Sequence, residues 1–286
     1  MILASQRAGV VRLALVEDGV LTFYMLWRPD APDGVGDRYT GRISAQVPAL
    51  GGAFVELGGV VGFLPDSAGG RGGAEGDLVD VVITRAAQGG KGPRLARTGD
   101  AADGKPGLRA RGAGPIGEFR ALRPDAPIVA DDFELIARLR KLYGAIEHAA
   151  GCFAPIEDEV ACLADPVAAL PHGARAIITP TPALTAIDVD AGAATAERGG
   201  KTGAQARLNR AIIPELARQI RLRNLGGAIL IDFAGMKAAA RASLAPDLVS
   251  ALARDPLKPR LIGFTSLGFA EVLRPRIHPP LHEMMP

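Results

Sequence analysis

The chain has 286 residues, 48% of them hydrophobic and 22% charged, enough apolar material to bury a sizeable core, in two or more domains. A formal net charge of +2 is too small to argue for a nucleic-acid partner by itself, so only local clusters of charge can carry that argument. No apolar run reaches membrane-spanning length, the opening MILASQRAGV lacks the apolar core of a signal peptide, and Cys152 and Cys162 exclude a disulfide framework or a four-cysteine zinc site.

A cytoplasmic location is the resulting expectation, with both cysteines as buried or half-buried thiols. From the amino end, VVRLALVEDGVLTFYMLW sets Asp18-Gly19 between two apolar runs, which predicts a hairpin. Over 39–97 the runs YTGRISAQV, GGAFVELG, VVGFLP, DLVDVVITRA and PRLAR are short and punctuated by glycine, the pattern of a small OB-type barrel. Burial tendency alone makes Phe54 and Phe63 core residues, and Lys91, in a Gly-rich loop, a solvated one. The stretches 68–76 and 97–118 read as mobile loops or linkers. Arg94, Arg97, Lys105, Arg109 and Arg111 make the second basic, which suits phosphate steering and plain solvation equally. Further on, Phe133, Ile136, Ala137 and Arg140 share one face of a predicted helix capped by Asp131 or Asp132. Glu157, Asp158 and Glu159 read as a solvated helix face.

The densest pattern lies at 183–236. Strand-like runs at 184–189 and 228–233 carry Asp188 and Asp232 at their ends, with Asp190 close by. Between them Ile212, Leu216 and Ile220, with Ile213 and Ala217, form the buried stripe of a helix from which Arg218, Arg221 and Arg223 project. Gly226-Gly227 stops that helix, and Pro214 predicts a kink or its true first turn. Strand, crossover helix and strand make the two strands parallel, which brings both aspartates to the carboxyl edge of one sheet. Spacing alone favours strand-end caps or ion-pair partners for these acids. The loop 191–203 contains Gly199-Gly200-Lys201-Thr202, but Thr195 stands where a phosphate-binding loop needs glycine, so that reading is rejected. After Met236 come a helical region, then a strand and helix from RLIGFTSLGFAEVLRPR. Pro279 and Pro280 between His278 and His282 prevent a helical metal pair, so both belong to a tail without metal.

AIDVDAG, ELARQIRLRNLGG and ILIDFAGM together resemble the catalytic-domain signature of the bacterial ribonuclease E/G family, with RQIRLRNLGG the most specific part. RLALVEDG, GAFVELGGVVGFLP with KGPRLAR, and the segment from LPHGARAIITP into IDVD are similar to further parts of that family. The resemblance implies an α/β (α+β) multidomain fold. An RNase H-like domain, 1–36 and 125–165, would be interrupted by an OB-type RNA-binding barrel at 37–98. Residues 99–124 would be a linker in place of the 5′-sensor, and 166–286 a DNase I-like catalytic domain. It further implies that Asp188 and Asp232 are catalytic and bind metal, that Asp190 binds it or orients one of its waters, and that Asn209 supports them. Phe54 and Phe63 would stack bases, and Lys91 would contact a phosphate.

Hard oxygen donors favour Mg2+, with Mn2+ possible, and no zinc is expected. The implied function is a metal-dependent endoribonuclease hydrolysing phosphodiester bonds in single-stranded RNA. Asp190 stands where the family has Asn, Gly235 where it has Asp, and Ser266 where it has Arg, leaving Arg274 and Arg276 as phosphate contacts. These departures motivate a second reading, an RNA-binding protein that keeps the fold with weak or no turnover, and a third, a scaffold in an RNA-processing complex. No CPxC zinc-link motif precedes Pro286, so the family's zinc-linked tetramer is not expected, a homodimer stays open, and no membrane association is expected.

Overall fold

The structure is a computed structural model that describes residues 1–99, 102, 104–192 and 201–285, with the backbone alone for Lys201 and Thr202. Gly199 and Gly200 of the rejected phosphate loop therefore lie outside the described residues. The chain forms two compact units. One comprises Met1–Leu13, Leu26–Cys152 and Ile277–Pro279, the other Ala14–Met25, Phe153–Arg276 and Pro280–Pro286.

Strands β1 (Ile2–Arg7), β2 (Val10–Glu17) and β3 (Val20–Trp27) open the chain. The predicted Asp18-Gly19 turn is present, both residues at positive φ (50° and 78°) as a two-residue hairpin requires. A second such turn at Ala8-Gly9 (48° and 77°) adds β1, which the sequence reading did not resolve. Next, β4 (Arg38–Val47), β5 (Gly52–Glu56), β6 (Val61–Pro65), β7 (Leu78–Arg85) and β8 (Arg94–Arg97) pair in the order β5-β6-β8-β7-β4, and β4 returns to β5. This is the expected five-stranded closed barrel. Ile43, Val55, Leu64, Val81 and Leu95 point into its core.

From Gly107 onward, the segment expected to be a mobile linker forms regular structure. Strand β9 (Gly107–Ala110) pairs with β4, and helix α1 (Gly114–Leu122) follows. Two of its basic residues have internal partners, Arg109 donating to Thr40 Oγ1 at 2.8 Å and Arg111 pairing with buried Asp37 at 2.7 Å. Strand β10 (Ile128–Ala130) lies parallel to β1, and β11 (Glu147–His148) parallel to β10. Between them, helix α2 (Phe133–Tyr143) is capped by Asp132, which accepts from Leu135 N at 2.7 Å. Its buried face is Leu135, Ile136 and Leu139 rather than the predicted one. Phe133 is 71% exposed, stacked on His148.

In the second unit, α3 (Glu157–Cys162) precedes β12 (Val167–Ala169), β13 (Arg175–Pro180) and β14 (Leu184–Asp190). Helix α4 (Lys201–Leu222) crosses to β15 (Gly227–Asp232). Then come α5 (Ala238–Arg241), α6 (Ala245–Leu252), β16 (Arg260–Phe264), β17 (Ala270–Arg274) and α7 (Leu281–Met284). The predicted final strand and helix are instead the β16–β17 hairpin. Helix α4 runs through Pro214 and so begins well before it. The sheet order is β12-β13-β14-β15-β17-β16, with β14 and β15 parallel as the crossover demands. Ile187, Val189, Ile229 and Ile231 on one face of the sheet join Ile212, Ile213, Leu216 and Ile220 of α4 in a single core. The other face carries exposed side chains, among them Ile177 and Leu273. Among the described residues no helix is long and apolar enough to cross a membrane.

Candidate active site

Strand alternation decides where the acids go. Ile187 and Val189 are buried under α4, so Asp188 between them must point to the opposite face, and it is exposed there. Asp190, two residues on, shares that face. On β15, Ile231 and Phe233 are buried, and Asp232 turns outward in the same way. Asp188 and Asp232 are direct register partners across the parallel β14–β15 pair, which sets their backbones about 4.8 Å apart. The structure thus sets Asp188 and Asp232 side by side at the carboxyl ends of two adjacent strands, with Asp190 two residues further along the same face, opposite α4.

Two of the three are already in ion pairs. Arg175, the antiparallel register partner of Asp190 on β13, meets its carboxylate at 2.5 Å. The Gly192 amide, first, and then this guanidinium hold the Asp190 carboxyl below the usual carboxylate range. Asp232 accepts from Arg241 Nη1 at 2.5 Å, and Arg241 also donates to the carbonyls of Met236 (3.0 Å) and Gly268 (3.3 Å). No cation of the described residues pairs with Asp188. Sequence reasoning missed Arg175 and Arg241. Each reaches its aspartate through sheet register or a turn of chain, and neither left a periodic signal.

Asn209, fully buried on α4, donates to the Ala234 carbonyl at 2.9 Å, which ties the chain leaving Asp232 to the helix. Its Oδ1 is buried without a partner among the described residues. The arginines of RQIRLRNLGG lie apart from the acids and make internal contacts. Arg218 donates to the Leu21 carbonyl and pairs with Glu159 and Glu215. Arg221 donates to the Thr22 carbonyl and lies over the Phe23 ring. Buried Arg223 donates to the carbonyls of Cys162, Leu163 and Asp165. Arg274, expected at phosphate, is 3% exposed and paired with Asp255 at 2.7 Å, and Arg276 donates to the Gly226 carbonyl.

The barrel has its own candidate surface. Phe54 and Phe63 are cross-strand partners on β5 and β6, half-buried outside the barrel core, with ring centroids 5.7 Å apart at 64°. The core reading does not hold for them. Arg94 is the register partner of Phe63 on the other side, and exposed Lys91 stands in the β7–β8 turn next to Gly92, which packs against Val61. Of the thiols, Cys152 is half-buried, its pKa raised to about 11 by burial and by Asp131, whereas Cys162 is exposed.

Outward carboxylates form an oxygen donor set, able to hold a hard divalent cation that keeps several waters. Among the described residues no group of three or more His, Cys, Asp or Glu side chains is assembled for a metal, so such an ion would rest on one or two carboxylates. The model of the ribonuclease E/G family matches residues 138–277. Ribonuclease E of Synechocystis sp. is 36% identical over 116 residues, 40% of this chain and 17% of that protein. Ribonuclease G of Escherichia coli K12 is 32% identical over 131 residues, 46% of this chain and 27% of that protein. Ribonuclease E of the same strain is 37% identical over 116 residues, covering 40% and 11%. The chain matches about a quarter or less of the length of these relatives.

Proposed function

We infer that this chain is a divergent member of the ribonuclease E/G family, and from that premise we propose that it is a metal-dependent endoribonuclease hydrolysing phosphodiester bonds in single-stranded RNA in the cytoplasm. The observation that carries the reading is the register pair Asp188 and Asp232, outward-facing at the ends of parallel strands inside the matched segment. Mg2+ or Mn2+ held there would supply Lewis acidity toward a phosphoryl oxygen and a bound water of lowered pKa. Asp188 and Asp232 are the proposed ligands. Asp190, two residues along the same face, orients a water or shares the ion once Arg175 swings aside. Asn209 fixes the chain beyond Asp232. In the other unit, Phe54 and Phe63 offer ring faces and edges to unstacked bases, and Lys91 offers a charge to the RNA backbone. The RNase H-like and DNase I-like assignments of the α/β parts belong to this proposal.

One observation favours a second reading, an RNA-binding protein with weak or no turnover: guanidinium groups already engage Asp190 and Asp232. A short fluescently labelled single-stranded RNA separates the two. Cutting in Mg2+ that stops in EDTA and falls at least about a hundredfold in Asp232→Asn supports the nuclease. RNA binding without cutting gives the second reading.

A further inference from the structure

Arg175 and Arg241 pair with neighbouring carboxylates in different ways. The Arg175–Asp190 pair is open to water on both sides, 58% and 41% exposed, so its guanidinium can swing away. Arg241 is 12% exposed against 39% for Asp232. It is fixed by three acceptors at once: Asp232, the Met236 carbonyl and the Gly268 carbonyl. Gly268, at φ +90°, lies so close over the Arg241 stem that a Cβ there would stand 3.0 Å from Arg241 Cδ. Asp232 is the one carboxylate that Arg241 contacts among the described residues. Gly235, the next position along the loop where an acid could take over that role, sits at φ +65° with the Gln205 amide 2.3 Å from where its Cβ would be, so an acidic side chain is disfavoured there.

We propose that Arg241 is a built-in counter-cation that occupies Asp232 and competes with a divalent ion for it, so that the site binds metal weakly while Arg241 stays in its slot. This rests on Asp188 and Asp232 being the metal ligands. An ion coordinated to Asp232 would sit within about 5 Å of a fixed guanidinium, where even a water-like dielectric makes the repulsion between +2 and +1 worth at least about tenfold in affinity. An orienting hydrogen bond would act the other way. Asp232 needs little orientation, because sheet register with Asp188 and the Asn209 tie already fix its backbone.

The test is Mn2+ alone titrated into the full chain, free ion read by electron paramagnetic resonance, for the wild type, Arg241→Gln, Arg241→Met, Arg241→Lys and Arg175→Gln. Circular dichroism melting of each variant reports folding. Arg241→Met keeps the stem under Gly268 and serves if Arg241→Gln does not fold. The expected result is affinity at least about tenfold tighter in Arg241→Gln and Arg241→Met. Arg241→Lys, which retains the charge, stays near the wild type, and Arg175→Gln changes affinity less than Arg241→Gln. Equal or weaker binding in the charge-removing variants overturns the competition while leaving the metal ligands standing. Tightening of the same size in Arg241→Lys also overturns it. Absence of Mn2+ binding in every variant overturns both this inference and the metal site it rests on.

Discussion

His278 shows how one side chain can be set by partners distant in sequence. Its Nδ1 meets Asp33 Oδ2 at 2.6 Å and its Nε2 meets Glu118 Oε2 at 2.9 Å. Burial alone would lower the imidazole pKa, but the hydrogen bonds and charges of Asp33 and Glu118 outweigh it and push it up to about 10. A histidine raised in the folded state stabilises fully below its unfolded pKa near 6.5, and the contribution disappears as pH rises through about 10. Tyr143, near Glu118, is itself pushed upward by burial and by that carboxylate, and so keeps its proton through most of this window. The stability gap between wild type and His278→Asn, from urea denaturation, is expected to be roughly 2–4 kcal/mol at pH 6 and to close toward pH 10. A gap independent of pH would show that the two carboxylates do not hold a charged ring. In the sequence His278 was read as part of a tail, because nothing near it in the chain announces Asp33 or Glu118.

At the scale of elements, the βαβ unit was legible and its decoration was not. The Ile212, Leu216 and Ile220 stripe, the Gly226-Gly227 stop and the alternation around Asp188 are local signals, and the structure follows them. Helix α2 was read with the wrong face because Phe133 was counted toward the core, while its ring stacks outside on His148. The β16–β17 hairpin was read as strand and helix, since LGFAEVL fits a helical period as well as a strand paired to β15. RQIRLRNLGG, the most family-specific run, turns out to be an internal fastener. Arg223→Ala removes a buried guanidinium from the carbonyls of Cys162, Leu163 and Asp165, of which Cys162 keeps the Asp165 amide as a donor. The expected loss is about 2–4 kcal/mol of unfolding free energy, read from the urea midpoint at unchanged slope. A loss below about 0.5 kcal/mol would mean that water replaces the guanidinium there.

For the whole molecule, a net charge of +2 bears on how RNA would be held. The basic cluster expected to steer it is partly spent on internal partners, Arg109 on Thr40 and Arg111 on Asp37, and Arg274 and Arg276 are likewise committed. These four arginines therefore add little to phosphate binding, and stacking on the barrel surface supplies affinity that salt does not screen. Phe54→Ala with Phe63→Ala is expected to weaken binding by roughly 2 kcal/mol and leave the salt slope unchanged. Lys91→Ala should instead lower the slope by about 0.7, one phosphate contact on a single strand. Fluorescence anisotropy across a salt series distinguishes these outcomes, and an unchanged affinity in the double phenylalanine variant removes the barrel surface from the proposal.

The register that aligns Asp188 with Asp232 also acts as a proofreading device during folding. A slip of β15 by one residue along β14 would turn Asp232 inward against α4 and expel Ile231 and Phe233 into water. A chain that misaligns these strands therefore loses its core together with its acids. Molecules that are stably folded but carry a scrambled site are excluded by the same alternation that builds it.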